Sequence, residues 1–201
     1  MGRKAVDVVL LPEETMMNRA IEANAELVKK LGCKIVLNKQ NCLPHISLAM
    51  GTINETDIGN IGKILKAVAK ENFLGDFKIV GVHVETNAVG QQVSAFIVEK
   101  TDRIQSLHER IMNGLAPYLS SDVDRTMMYP SGEIAESTLL WIRNYREKSS
   151  FQNFSPHITI GYGQMQNRVP QIEFAATKLA LCHLGNHCTC REILVSIELK
   201  R

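Results

Sequence analysis

"CLPHISLAM" at residues 42–50 and "FSPHITIGYG" at residues 154–163 decide how this chain is read. Each sets a proline, a histidine and a small hydroxyl residue in an otherwise apolar run. Side chains of an extended strand alternate faces, so His45 and Ser47 point one way, about 6.5–7 Å apart, while Ile46 and Leu48 point the other. His157 and Thr159 stand in the same relation to Ile158 and Ile160. The pattern histidine-x-hydroxyl alone is cheap, and it recurs as "HCT" at 187–189. What distinguishes the first two is the full agreement Pro-His-Ile-[Ser/Thr]-aliphatic, which "HCT" lacks.

Working outward, 201 residues with 45% hydrophobic side chains suffice for a real core, and the length allows a single domain over 1–201 or a pair of fused lobes. The net charge of +2 is too small to hold long duplex DNA by counterion release, which leaves a small anionic ligand. The opening "MGRKAVDVVLLPEE" reaches Pro12 and two glutamates without a small-residue cleavage site, so no signal peptide is expected. No apolar run approaches the roughly 20 residues that span a bilayer. Five scattered cysteines do not resemble a secreted disulfide framework, so reduced thiols in a cytoplasm are expected.

The β-branched run "AVDVVLL" (5–11) reads as a strand, and Pro12 suits the first turn of a helix over "EETMMNRAIEANAELVKKLG" with Met17, Ile21, Asn24, Val28 and Leu31 facing inward. "CKIVLN" and "HISLAM" read as strands. A helix entered through Asn54 or Thr56 follows, with Ile61, Leu65 and Val68 on one side. "DFKIVGVHVET" and "QVSAFIVEK" form a hairpin around "NAVGQ". Thr101 and Asp102 start a helix with Ile104, Leu107, Ile111 and Leu115 on its inner face, and a second helix is read from Glu133 to Lys148 after Ser131, with "TLLWI" within it open to a strand reading instead. "HITIGYG", "IEFAATKLALCHLG" and "REILVSIEL" close the chain as strands, the last two joined at "NHCT".

If the two motif strands lie near each other, the histidines flank one cavity, where two imidazoles serve as base and acid at neutral pH. Phosphorus suits that arrangement. In-line displacement takes a proton from the attacking oxygen and gives one to the leaving oxygen, and hydroxyls hold the non-bridging oxygens. No cofactor or metal is demanded.

The quoted motifs resemble the paired H-x-[ST]-x signature of the two-histidine (2H) phosphoesterase superfamily, which includes the 2'-5' RNA ligase-like cyclic phosphodiesterases. The resemblance implies an α+β fold of two pseudo-symmetric lobes, whose antiparallel sheets form a concave central cleft with helices outside. It implies hydrolysis of a 2',3'-cyclic phosphate or 2',5' phosphodiester, at an RNA terminus or in a small nucleotide, without a metal. Carried over, His45 and His157 are the acid-base pair, with His157 expected to activate water and His45 to protonate the leaving oxygen. Ser47 and Thr159 hold the phosphate. Ligase-like relatives often carry a basic residue just after the second motif, where this chain has Gly161, Tyr162 and Gly163; Arg168 is further along.

Tyr162 is a candidate to stack on a base, and Arg191 to face phosphate from the last hairpin. "CHLGNHCTCR" (182–191) gathers three cysteines and two histidines at poor zinc spacing, and is read as a cysteine-bearing turn. His83 and His108 lack a hydroxyl partner and are read as structural or exposed. Two rivals stay open: a non-catalytic module that binds a nucleotide or RNA end, and a zinc protein built on residues 182–190.

Overall fold

The computed structural model describes residues 2–31, 35–71, 75–86, 90–130, 132–165 and 169–199. Chain order is β1 (Arg3–Pro12), α1 (Glu14–Leu31), β2 (Ile46–Asn54), α2 (Ile58–Glu71), β3 (Asp76–Thr86), β4 (Gln92–Val98), α3 (Asp102–Gly114), α4 (Glu136–Lys148), β5 (His157–Tyr162), β6 (Ile172–Leu184) and β7 (Cys190–Glu198). The seven strands form one antiparallel sheet, and the class is α+β as expected. The ladders close on themselves. From β1 they run through β2, β5, β4, β3 and β6 back to β1, with β7 added on β6. The long β6 makes this possible: its first residues, Ile172–Ala175, pair with β3, and its remainder pairs with β1 and β7.

An internal likeness invisible in the letters appears at the motif strands. The β1–β2 ladder skips Leu48, and the β4–β5 ladder skips Ile160. Both are bulge residues three positions after a motif histidine. A bulge takes its residue out of the ladder, so its carbonyl must find another donor. On Leu48 that donor is His108 Nδ1 of α3 at 2.7 Å, and on Ile160 it is Asn24 Nδ2 of α1 at 2.7 Å. Each half therefore places one helix behind a motif strand and ties it there with a buried polar side chain.

Several elements differ from expectation. Pro12 ends β1, and α1 begins at Glu14. The buried stripe of α1 is Met16, Ala20, Asn24 and Leu27, rotated one position from the larger apolar residues Met17, Ile21 and Val28. Asn24 fixes that rotation, since its amide also donates to the Ile35 carbonyl and accepts from Leu37 N–H. The same side chain explains why "CKIVLN" is no strand across residues 35–37: it takes the bonds a neighbouring strand would have made. Cys33, Ser131 and the hairpin residues Asn87, Ala88 and Val89 lie outside the described residues. The inner faces of the other helices match, but Asn54 makes no side-chain cap before the short turn Glu55–Asp57 that leads into α2, and α4 begins at Glu136 rather than Glu133. Thr101 caps α3 by accepting from Ile104 N–H, and α2 buries Ile61, Leu65 and Val68. At α4 the cap comes from afar: Asn186 Oδ1 accepts from Ala135 N–H and from the Thr138 hydroxyl.

The expectation of thiols throughout is overturned. Cys182 and Cys190 form a disulfide with their Cα atoms 5.5 Å apart, and Cys42 and Cys188 are free. A register shift in the β6–β7 ladder pairs Leu184 with Cys190, which swings Cys190 into reach of Cys182. The premise of the cytoplasmic assignment falls with it. No helix among the described residues is long and apolar enough to cross a membrane.

Candidate active site

The two motifs are neighbours. Strands β2 and β5 pair antiparallel with Ile46 opposite Ile158. Counting one residue either way sets His45 across from Thr159, and Ser47 across from His157. Each imidazole thus faces the other motif's hydroxyl, and the two histidines occupy a diagonal whose positions are typically about 7–8 Å apart, with the Cβ atoms somewhat closer. Ile46, Ile158 and Ile160 are wholly buried on the opposite face, while His45, Ser47, His157 and Thr159 keep partial access to solvent.

Local sequence fixes the imidazoles. His45 Nδ1 donates to the Leu43 carbonyl at 2.7 Å, and His157 Nδ1 to the Ser155 carbonyl at 2.8 Å. A carbonyl only accepts, so in each neutral ring Nδ1 carries the hydrogen and Nε2 offers its lone pair. The intervening prolines explain the repetition. Proline sets its own φ and holds the preceding residue extended, which directs that residue's carbonyl back at the following histidine.

Asp7, read in the sequence only as part of an apolar run, lies beneath His45. Its carboxyl is fully buried, hydrogen-bonded to the Ser47 hydroxyl at 2.6 Å and 3.9 Å from His45 Nε2. Burial pushes its pKa up to about 8, against the smaller opposing pull of the Ser47 bond and the Ala49 and Leu48 amides. Burial also pushes His45 below the usual imidazole value; the Leu43 bond opposes this, and nearby His157 adds to it. A lone acid in a β-branched run is the one sequence signal by which Asp7 could have been found.

Tyr162 joins the same face through the bulge. Because Ile160 is skipped, Thr159 pairs with Ala95 and Tyr162 with Val93, two β4 residues that point the same way. Its hydroxyl is 3.0 Å from His187 Nδ1, and the rings meet edge to face at 5.0 Å. His187 and Cys188 both have positive φ in the turn that leads to β7. Arg191 goes elsewhere. It donates to the Asn41 carbonyl at 2.9 Å, packs against Gly185, lies against the Cys42 thiol, and hydrogen-bonds to none of His45, Ser47, His157 and Thr159. Arg168 lies outside the described residues.

His108 is structural: Nδ1 donates to Leu48, Nε2 accepts from Phe151 N–H at 2.7 Å, and the ring stacks on Phe154. His83 is exposed on β3. Among the described residues no group of three or more histidine, cysteine, aspartate or glutamate side chains is placed to hold a metal ion. A cavity of about 430 Å³ between the start of β3 and the N-terminus of α3 contains none of the motif residues.

No protein-family model matches the chain, and no curated protein matches it in sequence. Solved structures do. Escherichia coli LigT in complex with 3'-AMP superposes with a TM-score of 0.52 at 11% identity, covering 100% of both chains. The LigT complexes with phosphate and with NADP+ each give 0.51, at 10% and 11% identity and the same coverage. At such identity the likeness speaks to architecture alone: this chain has the LigT fold.

Proposed function

We propose that the protein is a phosphodiesterase of the two-histidine type, acting on a 2',3'-cyclic or 2',5'-linked phosphate in a small nucleotide or at an RNA end. The carrying observation is the Ile46–Ile158 register, which sets two Nε2-open imidazoles and two hydroxyls on one accessible face. That arrangement suits a base, an acid and two hydroxyls beside a phosphate at once. The fold shared with LigT, whose structures hold phosphate and 3'-AMP, supports a nucleotide substrate. Its place on the same face supports Tyr162 as the residue that stacks against a base.

The electrostatics favour an order opposite to the one expected from sequence. Burial and His157 both favour neutral His45, which makes His45 the base that activates water and His157 the acid that protonates the leaving oxygen. Replacing either histidine by alanine is expected to lower hydrolysis of 2',3'-cyclic nucleotides by about 10²–10⁴, measured with excess chelator present. An aryl phosphodiester, whose leaving group needs no proton, is expected to restore turnover to His157→Ala and not to His45→Ala. Full activity of both variants, or a protein that binds the cyclic nucleotide and leaves it intact, ends the assignment.

A further inference from the structure

Asp7 is the only fully buried carboxyl group among the described residues, and no lysine or arginine there pairs with it. Oδ2 contacts Ser47 Oγ, while Oδ1 makes no hydrogen bond. The fold does not demand an acid at this place. When the two bulges are matched, Asp7 opposite Met50 corresponds to Val93 opposite Tyr162. An ionised carboxylate here, with the Ser47 hydroxyl and the Leu48 and Ala49 amides as its donors, carries a desolvation cost larger than those bonds offset; a neutral acid does not.

A serine hydroxyl owns a single hydrogen. Were Asp7 ionised, it would only accept, and Ser47 would spend that hydrogen on Oδ2 and meet a phosphate oxygen with a lone pair. We propose that Asp7 works as a neutral carboxylic acid, donating its proton to Ser47 Oγ and so freeing the Ser47 hydrogen to point into the cleft at a tetrahedral oxyanion. Asp7 is then a positioning residue for phosphate capture, and the proposal rests on the phosphoryl-transfer reading of this face. Its elevated pKa agrees with a neutral form at pH 7. The other titratable groups facing it are His45 before β2, Tyr145 of α4 and Cys188 of the β6–β7 turn. Burial lowers His45, with His157 adding to that; burial first and Asp7 second raise both Tyr145 and Cys188. Between pH 7 and 9, Asp7 is the group in this cluster that changes charge.

Sulfate, which keeps its charge over this range, is the probe. In full-length protein carrying ¹³C-labelled aspartate, one side-chain carboxyl carbon is expected to titrate near pH 8, and saturating sulfate is expected to raise that midpoint, since coupling is reciprocal. By calorimetry, sulfate affinity is expected to fall about tenfold between pH 7 and pH 9 as the protonated fraction falls. Asp7→Asn, whose amide donates to Ser47 at every pH, is expected to abolish this loss and bind sulfate about tenfold tighter than wild type at pH 9. The proposal is overturned if every aspartate titrates below pH 6, if sulfate leaves the midpoint unmoved, or if Asp7→Asn keeps the alkaline loss. The wild-type titration decides the matter even where the variant fails to fold. Cleavage is scored separately. Sulfate coupling without hydrolysis keeps this inference and ends the enzymatic reading; hydrolysis with an uncoupled carboxyl does the reverse.

Discussion

A single buried acid gives stability one component of its pH dependence, and it touches the hydroxyl of Ser47. Its folded pKa of about 8 stands above the unfolded reference of 3.8, so the folded state holds the proton more tightly. Below pH 3.8 both states are protonated and Asp7 carries no penalty. Stability then falls as pH rises from about 4, because the unfolded chain gains by ionising, and levels off above about 8. Asp7→Asn removes that slope. It is expected to stabilise the protein at pH 7 by on the order of 4 kcal/mol, with the difference vanishing near pH 4. Urea denaturation of both proteins across that range checks it; equal slopes would show an ionised Asp7 in the folded state.

At the scale of elements, the two bulges shape the site. The one at Ile160 is held open by Gly161, whose φ is +149° and where a Cβ would lie 2.9 Å from Asn24 Nδ2. Gly161→Ala therefore strains the backbone and displaces the amide that ties α1 to β5. A loss of about 1–3 kcal/mol is expected in thermal or chemical unfolding, with weakened nucleotide binding as Tyr162 turns off the face. An unchanged midpoint would show that the bulge does not depend on glycine. The bulge at Leu48 has a sturdier arrangement, since His108 fills the same role and is pinned by the Phe151 amide. His108, expected to be structural or exposed, is structural, and its use is hidden in the sequence because its two partners lie 60 and 43 residues away.

Across the whole molecule, the closed circuit of strands brings residues of opposite halves together. The motif strands meet through one bridge at Ile46 and Ile158, while β6 joins the halves on the other side. The Cys182–Cys190 bond locks the β6–β7 hairpin whose turn lies over Asp7, and Cys190 in turn bridges to Leu43, two residues before His45. It spans 8 positions, a loop whose closure in the unfolded chain is worth about 2–3 kcal/mol. Reduction, or paired replacement of Cys182 and Cys190 by alanine, is expected to lower stability by that amount in denaturant titration. No loss would mean the thiols are equally well accommodated apart.

Local chemistry was enough to determine that two strands each carry an imidazole and a hydroxyl on one face. Strand alternation and the proline before each histidine act over two or three residues, and neither needs the rest of the chain. The inner faces of the helices were legible for the same reason, apart from the one-residue rotation that Asn24 imposes on α1; the starts of α2 and α4 were not. Only the tertiary structure decided that β2 and β5 are partners, that Asp7 lies under Ser47, that Tyr162 shares their face and that Cys182 meets Cys190. Each of these depends on ladder register between separate strands, or on a bulge that shifts it. Such a register is set by the summed packing of both halves, which no short stretch of the chain contains.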